Sequence, residues 1–162
     1  MRLLALDQAS NISGYAIFED GKLLKYDKIN LTGYDLADKL VLLRKQIANL
    51  IQEWNIEEVI MEDIQLQGNV TNNVKTFKVL AEVFGVIYEL VNEMNIKNSA
   101  VLASEWKSSL KIKGRDRTAQ KRAAQQYVID NYNIKPTQDE CDAICIGAHY
   151  YLKDKQEFDW SD

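Results

Sequence analysis

The chain has 162 residues, of which 46% are hydrophobic, and it carries a formal net charge of -4. One proline, seven glycines and no evident repeat favour one folded domain, which we place at residues 1–154, with a polar tail at 155–162. No apolar run approaches the roughly 20 residues of a membrane helix. No signal peptide is recognisable, so we expect a cytoplasmic protein without a membrane partner.

The first half of the chain is typical of a sheet that begins as an antiparallel meander. The first segment is largely apolar, the second alternates, and Gly21 marks the turn into the third. Helices and strands then alternate, which favours the parallel addition of two more strands. We therefore predict an α/β fold with a mixed five-stranded sheet flanked by helices. The strands are predicted at 2–8, 14–19, 22–31, 57–62 and 99–103.

Apolar residues recur at helical spacing in the segments between and after these strands. Ser104 is a plausible N-cap of a short helix, and a basic segment leads through Gly114 into another. Pro136 and Thr137 precede the last helix. The longer helices are predicted at 36–54, 77–91, 118–131 and 138–152.

One basic segment contrasts with the acidic chain. Between Trp106 and Arg122 it carries a charge of +6, which leaves about -10 for the remaining residues. Because phosphate binding depends on the local field, this segment predicts a nucleic-acid contact, although a solvated helix face explains the charge equally well. Its basic residues are Lys107, Lys111, Lys113, Arg115, Arg117, Lys121 and Arg122.

Four acids stand at the ends of predicted elements. Asp7 and Glu62 each end an apolar strand, where an acid has no packing value. Asp139 and Asp142 are three residues apart at the start of the last helix, so they share one face. Local roles are open too, because Asp7 can cap its turn and acids are favoured at a helix N-terminus. If the first and fourth strands are neighbours, all four acids converge.

Several ionised carboxylates in one cleft repel each other, and a hard cation relieves that repulsion. Oxygen ligands suit Mg²⁺ or Mn²⁺, and two such ions can activate a water and stabilise the leaving oxygen of a phosphodiester. Asp63 follows Glu62 but points to the opposite face, so we interpret it as structural or solvated.

The two cysteines and the single histidine have the chemistry of a soft-metal site, but their spacing argues against one. Cys141, Cys145 and His149 are spaced along one face of one helix, and three ligands on a straight helix cannot close a tetrahedron. We expect reduced thiols and a core or surface histidine. Among the aromatic residues, Trp106 is the one that we keep as a candidate base-stacking platform.

In order and spacing, the chain resembles the RuvC family of Holliday junction resolvases, which has an RNase H-like fold. The motifs are Leu6-Asp7-x-Ala9-Ser10-x-x-x-Gly14-Tyr15, Ile60-x-Glu62 and Asp139-x-x-Asp142-Ala143. The resemblance implies a structure-selective endonuclease that nicks branched DNA, with Asp7, Glu62, Asp139 and Asp142 as catalytic metal ligands for two ions. It also implies that Lys107 and Lys121 lie near the scissile phosphate, where Lys121 offsets developing negative charge.

The same resemblance implies a homodimer, because one helix is similar to the family's dimer helix. Its interface residues would be Phe77, Leu80, Ala81, Phe84 and Gly85, and Gly85 would allow close approach. A two-fold dimer presents two active sites, as symmetric nicking of a four-way junction requires.

The chain departs from the family at a few positions. Gln8 and Ala9 replace the usual Pro and Gly of the first turn. Gln65 stands where bacterial members carry an aromatic residue that wedges into the junction, and Leu66 is a possible substitute. The small size and these departures are compatible with a phage-type member.

Two other functions remain open at this point. An RNase H-type enzyme that cuts RNA in hybrids would share the fold and the metals. A junction-binding protein without catalysis would use the carboxylates only to prevent promiscuous association. The sequence preference, the preferred branched substrate, Mg²⁺ against Mn²⁺ and the need for a helicase-like partner are not determined by the sequence.

Overall fold

A computed structural model describes residues 1–65 and 70–159, with the backbone alone at 70–73 and 154–159. Its sheet has the strand order β3-β2-β1-β4-β5. The first three strands pair antiparallel, whereas β4 runs parallel to β1 and β5 parallel to β4. This arrangement confirms the predicted mixed sheet. The strands are β1 (Arg2–Asp7), β2 (Ile12–Glu19), β3 (Lys22–Asn30), β4 (Glu58–Glu62) and β5 (Lys97–Val101).

Within the described residues, five helices flank the sheet. They are α1 (Leu36–Glu53), α2 (Val70–Glu93), α3 (Ala103–Ser109), α4 (Arg117–Tyr132) and α5 (Gln138–Asp159). Aspartates begin two of them, because the Asp35 side chain accepts from the backbone N–H of Asp38 and Asp116 accepts from that of Ala119. In the part of the chain that the structure describes, no helix combines the length and apolar character that crossing a bilayer requires.

The central strand β1 divides the core into two layers. Leu3 and Ala5 pack on one face with the apolar residues of α3, α4 and α5, whereas Leu4 and Leu6 pack on the other face with α1 and α2. All four side chains are fully buried. Full burial of one leucine side chain contributes about 1.5–3 kcal/mol, so β1 anchors both layers and its last residue is held firmly in place.

Some predicted boundaries differ from the structure. Ser104 lies inside the first turn of α3 and not at its N-cap, so that prediction is wrong. The cap position belongs to Leu102, whose backbone N–H donates to the Glu105 carboxylate at 3.4 Å. The second long helix begins at Val70, earlier than predicted, and α5 continues to Asp159, into the predicted polar tail.

Candidate active site

Strand register brings two of the predicted acids together. The parallel pairing of β1 with β4 aligns Leu6 with Met61, so the next residues, Asp7 and Glu62, emerge side by side at the carboxyl edge of the sheet. The turn after β1 is closed by Ser13, whose hydroxyl accepts from the Ala9 N–H at 2.9 Å and donates to the Ala9 carbonyl at 2.8 Å. Ser13 therefore closes this turn. Because the turn does not need Asp7 as a cap, the Asp7 carboxylate can face the other acids.

Gly14 lets the last helix approach this edge. It is the register partner of Asp7 on β2, and a Cβ at this position would lie 1.9 Å from the carbonyl oxygen of Asp139. Real Cβ atoms do not come so close to backbone, so only glycine allows the first turn of α5 to lie against β2. This contact places Asp139 and Asp142 beside Asp7.

A capping box begins α5. The backbone N–H and hydroxyl of Thr137 both donate to the Glu140 carboxylate, at 2.8 and 2.9 Å, and Glu140 is buried. Glu140 is therefore committed to the helix start, which leaves Asp139 and Asp142 to face the strands. The Gln138 amide donates to the Asp142 carboxylate at 2.9 Å. The Thr-x-x-Glu sequence is a recognisable signature of this box, although Pro136 and Thr137 alone were used above to predict where the helix begins.

The acids act on one another electrostatically. Burial, followed by the charges of Glu62, Asp142 and Asp139, raises the pKa of Asp7 well above its ordinary value. Burial and the charge of Glu62 raise the pKa of Asp142 to about 6. Burial also raises the pKa of Glu62, against the hydrogen bond from Trp106 and the charge of Lys107. Four carboxyl groups from β1, β4 and α5 thus share one crowded field, as their spacing predicts.

The donor chemistry of this cluster fits a divalent hard cation, because every candidate ligand is a carboxylate oxygen and the raised pKa values show repulsion that a cation would relieve. Within residues 1–65 and 70–159, however, no three His, Cys, Asp or Glu side chains are placed so that together they hold an ion. The side chains are neighbours that must still turn toward a common centre.

Two buried residues hold Glu62. The indole N–H of Trp106 donates to a Glu62 carboxylate oxygen at 2.9 Å, and the Gln8 side chain bonds to the Glu62 backbone. Trp106 is only 1% exposed, so it cannot stack on a base and that hypothesis is wrong. The role of Gln8 was missed, because no local pattern in the sequence connects residues 54 positions apart.

Lys107 is the basic side chain with a marked effect on the acids. Its charge opposes the raised pKa values of Asp7, Glu62 and Asp142. It lies 5.5 Å from the centre of the Trp106 ring and donates to the Gln120 amide oxygen at 3.3 Å. The other six basic residues of the segment, Lys111, Lys113, Arg115, Arg117, Lys121 and Arg122, are exposed.

Lys121 follows Gln120, which accepts the hydrogen bond from Lys107, and its predicted place near the scissile phosphate stays a prediction. It lies on the exposed face of α4, whereas Lys107 of α3 stands at the cluster. The one acid within the basic segment, Asp116, caps α4 and so serves a local structural purpose.

The remaining predicted residues lie on other surfaces. On α2, Phe84 and Tyr88 stack at 6.1 Å, Tyr88 is 53% exposed, and a Cβ at Gly85 would meet nothing within 4 Å. Phe77, Leu80 and Ala81 are partly buried. Gln65 is exposed, and Leu66 lies outside the described residues.

The soft ligands of α5 belong to the core. Cys141 and Cys145 are buried free thiols, and His149 is buried with one ring nitrogen 2.6 Å from the Ser109 hydroxyl. Asp63 is exposed directly after β4 and accepts a hydrogen bond from the Ile64 backbone N–H at 2.8 Å, and its place on the face opposite Glu62 stays a prediction.

Solved structures share this fold. The RuvC of T. thermophilus, in complex with a Holliday junction substrate, matches with a TM-score of 0.77 and 13% identity over 96% of each chain. The fowlpox virus resolvase, in complex with Holliday junction DNA, matches with a TM-score of 0.58 and 16% identity over 95% of this chain and 98% of that one. The yeast mitochondrial Holliday junction resolvase matches with a TM-score of 0.55 and 19% identity over 96% of this chain and 82% of that one.

No curated protein matches the sequence significantly. A match to a protein family, however, agrees with these structural similarities. Residues 3–149 match the family described as crossover junction endodeoxyribonuclease RuvC. The match spans all four acids and all of the sheet except Arg2, and nothing in it favours an RNase H-type enzyme or a binding protein without catalysis. The chain, with its RNase H-like fold, therefore belongs to the RuvC family of crossover junction endonucleases.

Proposed function

We propose that this protein resolves four-way DNA junctions and related branched DNA by hydrolysis at the cluster of Asp7, Glu62, Asp139 and Asp142. The observation that carries the proposal is the convergence of four acids from β1, β4 and α5, seen in their mutual effect on pKa. Such a cluster destabilises the folded chain unless a cation binds to it, because buried like charges repel each other.

The same four residues would hold the metal. Divalent-metal dependence is general among RuvC-like resolvases, and an all-carboxylate set suits two Mg²⁺ or Mn²⁺ ions. Bound there, the pair would supply the acidity that activates a water and the charge that stabilises the leaving oxygen. Asp7, whose pKa is raised by all three other acids, would serve both ions, and the other three acids would complete the two shells.

The basic residues would bind the phosphates that flank the cut. Lys107 is close enough to the acids to affect their pKa values, which supports a role next to the scissile phosphate. Lys121 and the other exposed basic residues of the segment would position the DNA backbone by phosphate contacts without reading its sequence. Catalytic assistance from Lys121 itself stays a prediction.

The active form would be a homodimer that packs through α2. Two of its apolar side chains, Val74 and Tyr88, are exposed in the single chain, and Gly85 leaves room for a second helix. A two-fold dimer would offer two acid clusters to the paired strands of a junction. The structures of the T. thermophilus and fowlpox virus proteins in complex with junction DNA support this choice of substrate. The cytoplasmic location stays a prediction.

Asp7→Asn tests the site directly. Loss of even an outer partner of a metal site costs about 10–100-fold, so loss of a central ligand should lower Mg²⁺-dependent junction cleavage by more than about 100-fold. Junction binding in a gel-shift assay should persist, because the basic segment is unchanged.

Asp63→Asn is the matched control. It removes the same charge one residue beyond Glu62, from an exposed side chain that is not among the charges raising the pKa of Asp7 or Asp142, and we expect near-normal cleavage. Normal cleavage by Asp7→Asn would rule out the assigned site.

A further inference from the structure

Gln8 makes an unusual pair of contacts with β4. It follows Asp7 directly, and its side chain is 7% exposed. The amide N–H donates to the Glu62 carbonyl at 2.6 Å, and the Glu62 N–H donates to the amide oxygen at 3.2 Å. A side chain thus satisfies both backbone groups of Glu62, as a neighbouring strand would.

These hydrogen bonds lie just beyond the last backbone pairing between β1 and β4. The register of β1 with β4 ends at Leu6 and Met61. One residue further, Glu62 has on that side only the Gln8 amide as its partner in the described structure, and the next residue, Asp63, is exposed. Without Gln8, the end of β4 would lose two hydrogen bonds next to a candidate metal ligand.

Trp106 holds the side-chain end of Glu62. Its indole N–H donates to one Glu62 carboxylate oxygen at 2.9 Å. Glu62 is therefore held at its backbone by Gln8 and at its carboxylate by Trp106, so a shift of the backbone would be transmitted to the carboxylate. Outer-shell partners of this kind orient metal ligands and set metal affinity.

We propose that Gln8 is a positioning residue that acts through Glu62: its side-chain amide extends the β1–β4 pairing by one residue and sets where the Glu62 carboxylate stands. The inference rests on the proposed metal-binding role of the acid cluster. Gln8 itself contacts neither DNA nor metal in this account.

Gln8→Met tests this role, because methionine has a similar length and volume but neither donates to nor accepts from the Glu62 backbone. Mg²⁺ binding to the DNA-free protein, measured by calorimetry, should weaken about tenfold, in the range known for outer-shell substitutions. Saturating Mg²⁺ should restore much of the junction cleavage rate, since the ligand itself is intact. Gln8→Asn, whose shorter amide cannot reach both backbone groups, should shift Mg²⁺ affinity in the same direction and serves if the methionine variant does not fold.

Ser13→Ala is the matched control. It also removes two buried hydrogen bonds to the backbone of the same turn, but none to Glu62. We expect urea unfolding in EDTA to show similar destabilisation of Ser13→Ala and Gln8→Met, while only the Gln8 variant loses Mg²⁺ affinity.

Three results would overturn the inference in different ways. Wild-type Mg²⁺ affinity in both Gln8 variants would show that Gln8 does not position Glu62, while leaving the metal site itself in place. An equal loss of affinity in Ser13→Ala would show that any loosening of the turn suffices. Absence of Mg²⁺ binding in the wild type would remove the proposed metal site, and the inference with it.

Discussion

At the scale of single residues, the acid cluster opposes folding in the absence of a cation. The pKa of Asp142 is raised from 3.8 to about 6, mainly by burial and then by the charge of Glu62. A carboxyl group with a raised pKa binds its proton more tightly in the folded state. Its contribution to stability is therefore present at low pH and is lost as pH rises from about 4 to about 6.

Asp142→Asn should remove this loss. In EDTA, we expect the variant's advantage over the wild type in free energy of unfolding to be smallest near pH 4. It should rise by roughly 1–2 kcal/mol by pH 7, a value reduced from the full shift because the group is partly exposed. Urea unfolding across this pH range measures the difference. A difference that does not change with pH would contradict the account, and added Mg²⁺ should reduce the advantage at pH 7.

The acids could be predicted from the sequence, but their supporting residues could not. An acid that ends an apolar strand has no packing explanation, and this made Asp7 and Glu62 stand out. Gln8 and Trp106 contact Glu62 across 54 and 44 residues, and only the folded sheet brings them together. Gln8 attracted notice merely as a departure from the family pattern.

At the scale of elements, the site depends on how closely α5 approaches β2. Gly14 lies opposite Asp7 and directly beneath the backbone of Asp139. Backbone atoms at 1.9 Å from a new Cβ cannot move aside as a flexible side chain would, so the whole first turn of the helix must shift.

Gly14→Ala should therefore damage both folding and activity. Overpacking of this kind typically costs about 1–3 kcal/mol, and a displacement of the order of 1 Å at a reacting centre can lower the rate about 100-fold. Urea unfolding and junction cleavage measure the two effects.

Gly85→Ala is the contrasting substitution. Its Cβ would meet nothing within 4 Å in the single chain, so in protein dilute enough to be monomeric, replacing this helix-interior glycine should stabilise α2 by about 0.5–1 kcal/mol. If Gly14→Ala proved as harmless to stability as Gly85→Ala, the proposed close packing of α5 on β2 would be wrong.

The order of helices and strands could be predicted from the spacing of apolar residues along the chain. Several boundaries of these elements could not. The first long helix starts at Leu36 as predicted, because Asp35 is a strong cap. Ser104 was wrongly predicted as the cap of α3. Leu102 occupies the cap position, and its backbone N–H donates to the Glu105 carboxylate from within the helix. Helix ends depend on such tertiary and reciprocal bonds, which periodicity does not encode.

At the scale of the whole molecule, two surfaces have different tasks. The segment from Lys107 to Arg122 carries seven of the chain's 20 lysines and arginines with only one acid, in an otherwise acidic chain. The α2 surface instead exposes apolar side chains, with Val74 51% and Tyr88 53% exposed. We interpret the first as the DNA surface and the second as the dimer interface.

Tyr88→Lys should separate the dimer, because it places a charge where two copies of α2 would exclude water. Sedimentation equilibrium should show a dimer for the wild type and a monomer for the variant. Asn131→Lys, which introduces the same charge at an exposed position of α4, should remain dimeric. A monomeric wild type at tens of micromolar (roughly the range of weak homodimers), or a dimeric Tyr88→Lys, would contradict the proposed interface.

The most direct test of the central claim is a cleavage assay with Mg²⁺ or EDTA on a synthetic four-way junction, a fork mimic, a linear duplex and an RNA–DNA hybrid. We predict Mg²⁺-dependent nicking confined to the branched DNA, with paired symmetric cuts in the junction and no cutting of the linear duplex or the hybrid. Cutting of the hybrid alone, or tight junction binding without cutting in any divalent metal, would contradict the proposal that the acid cluster resolves junctions.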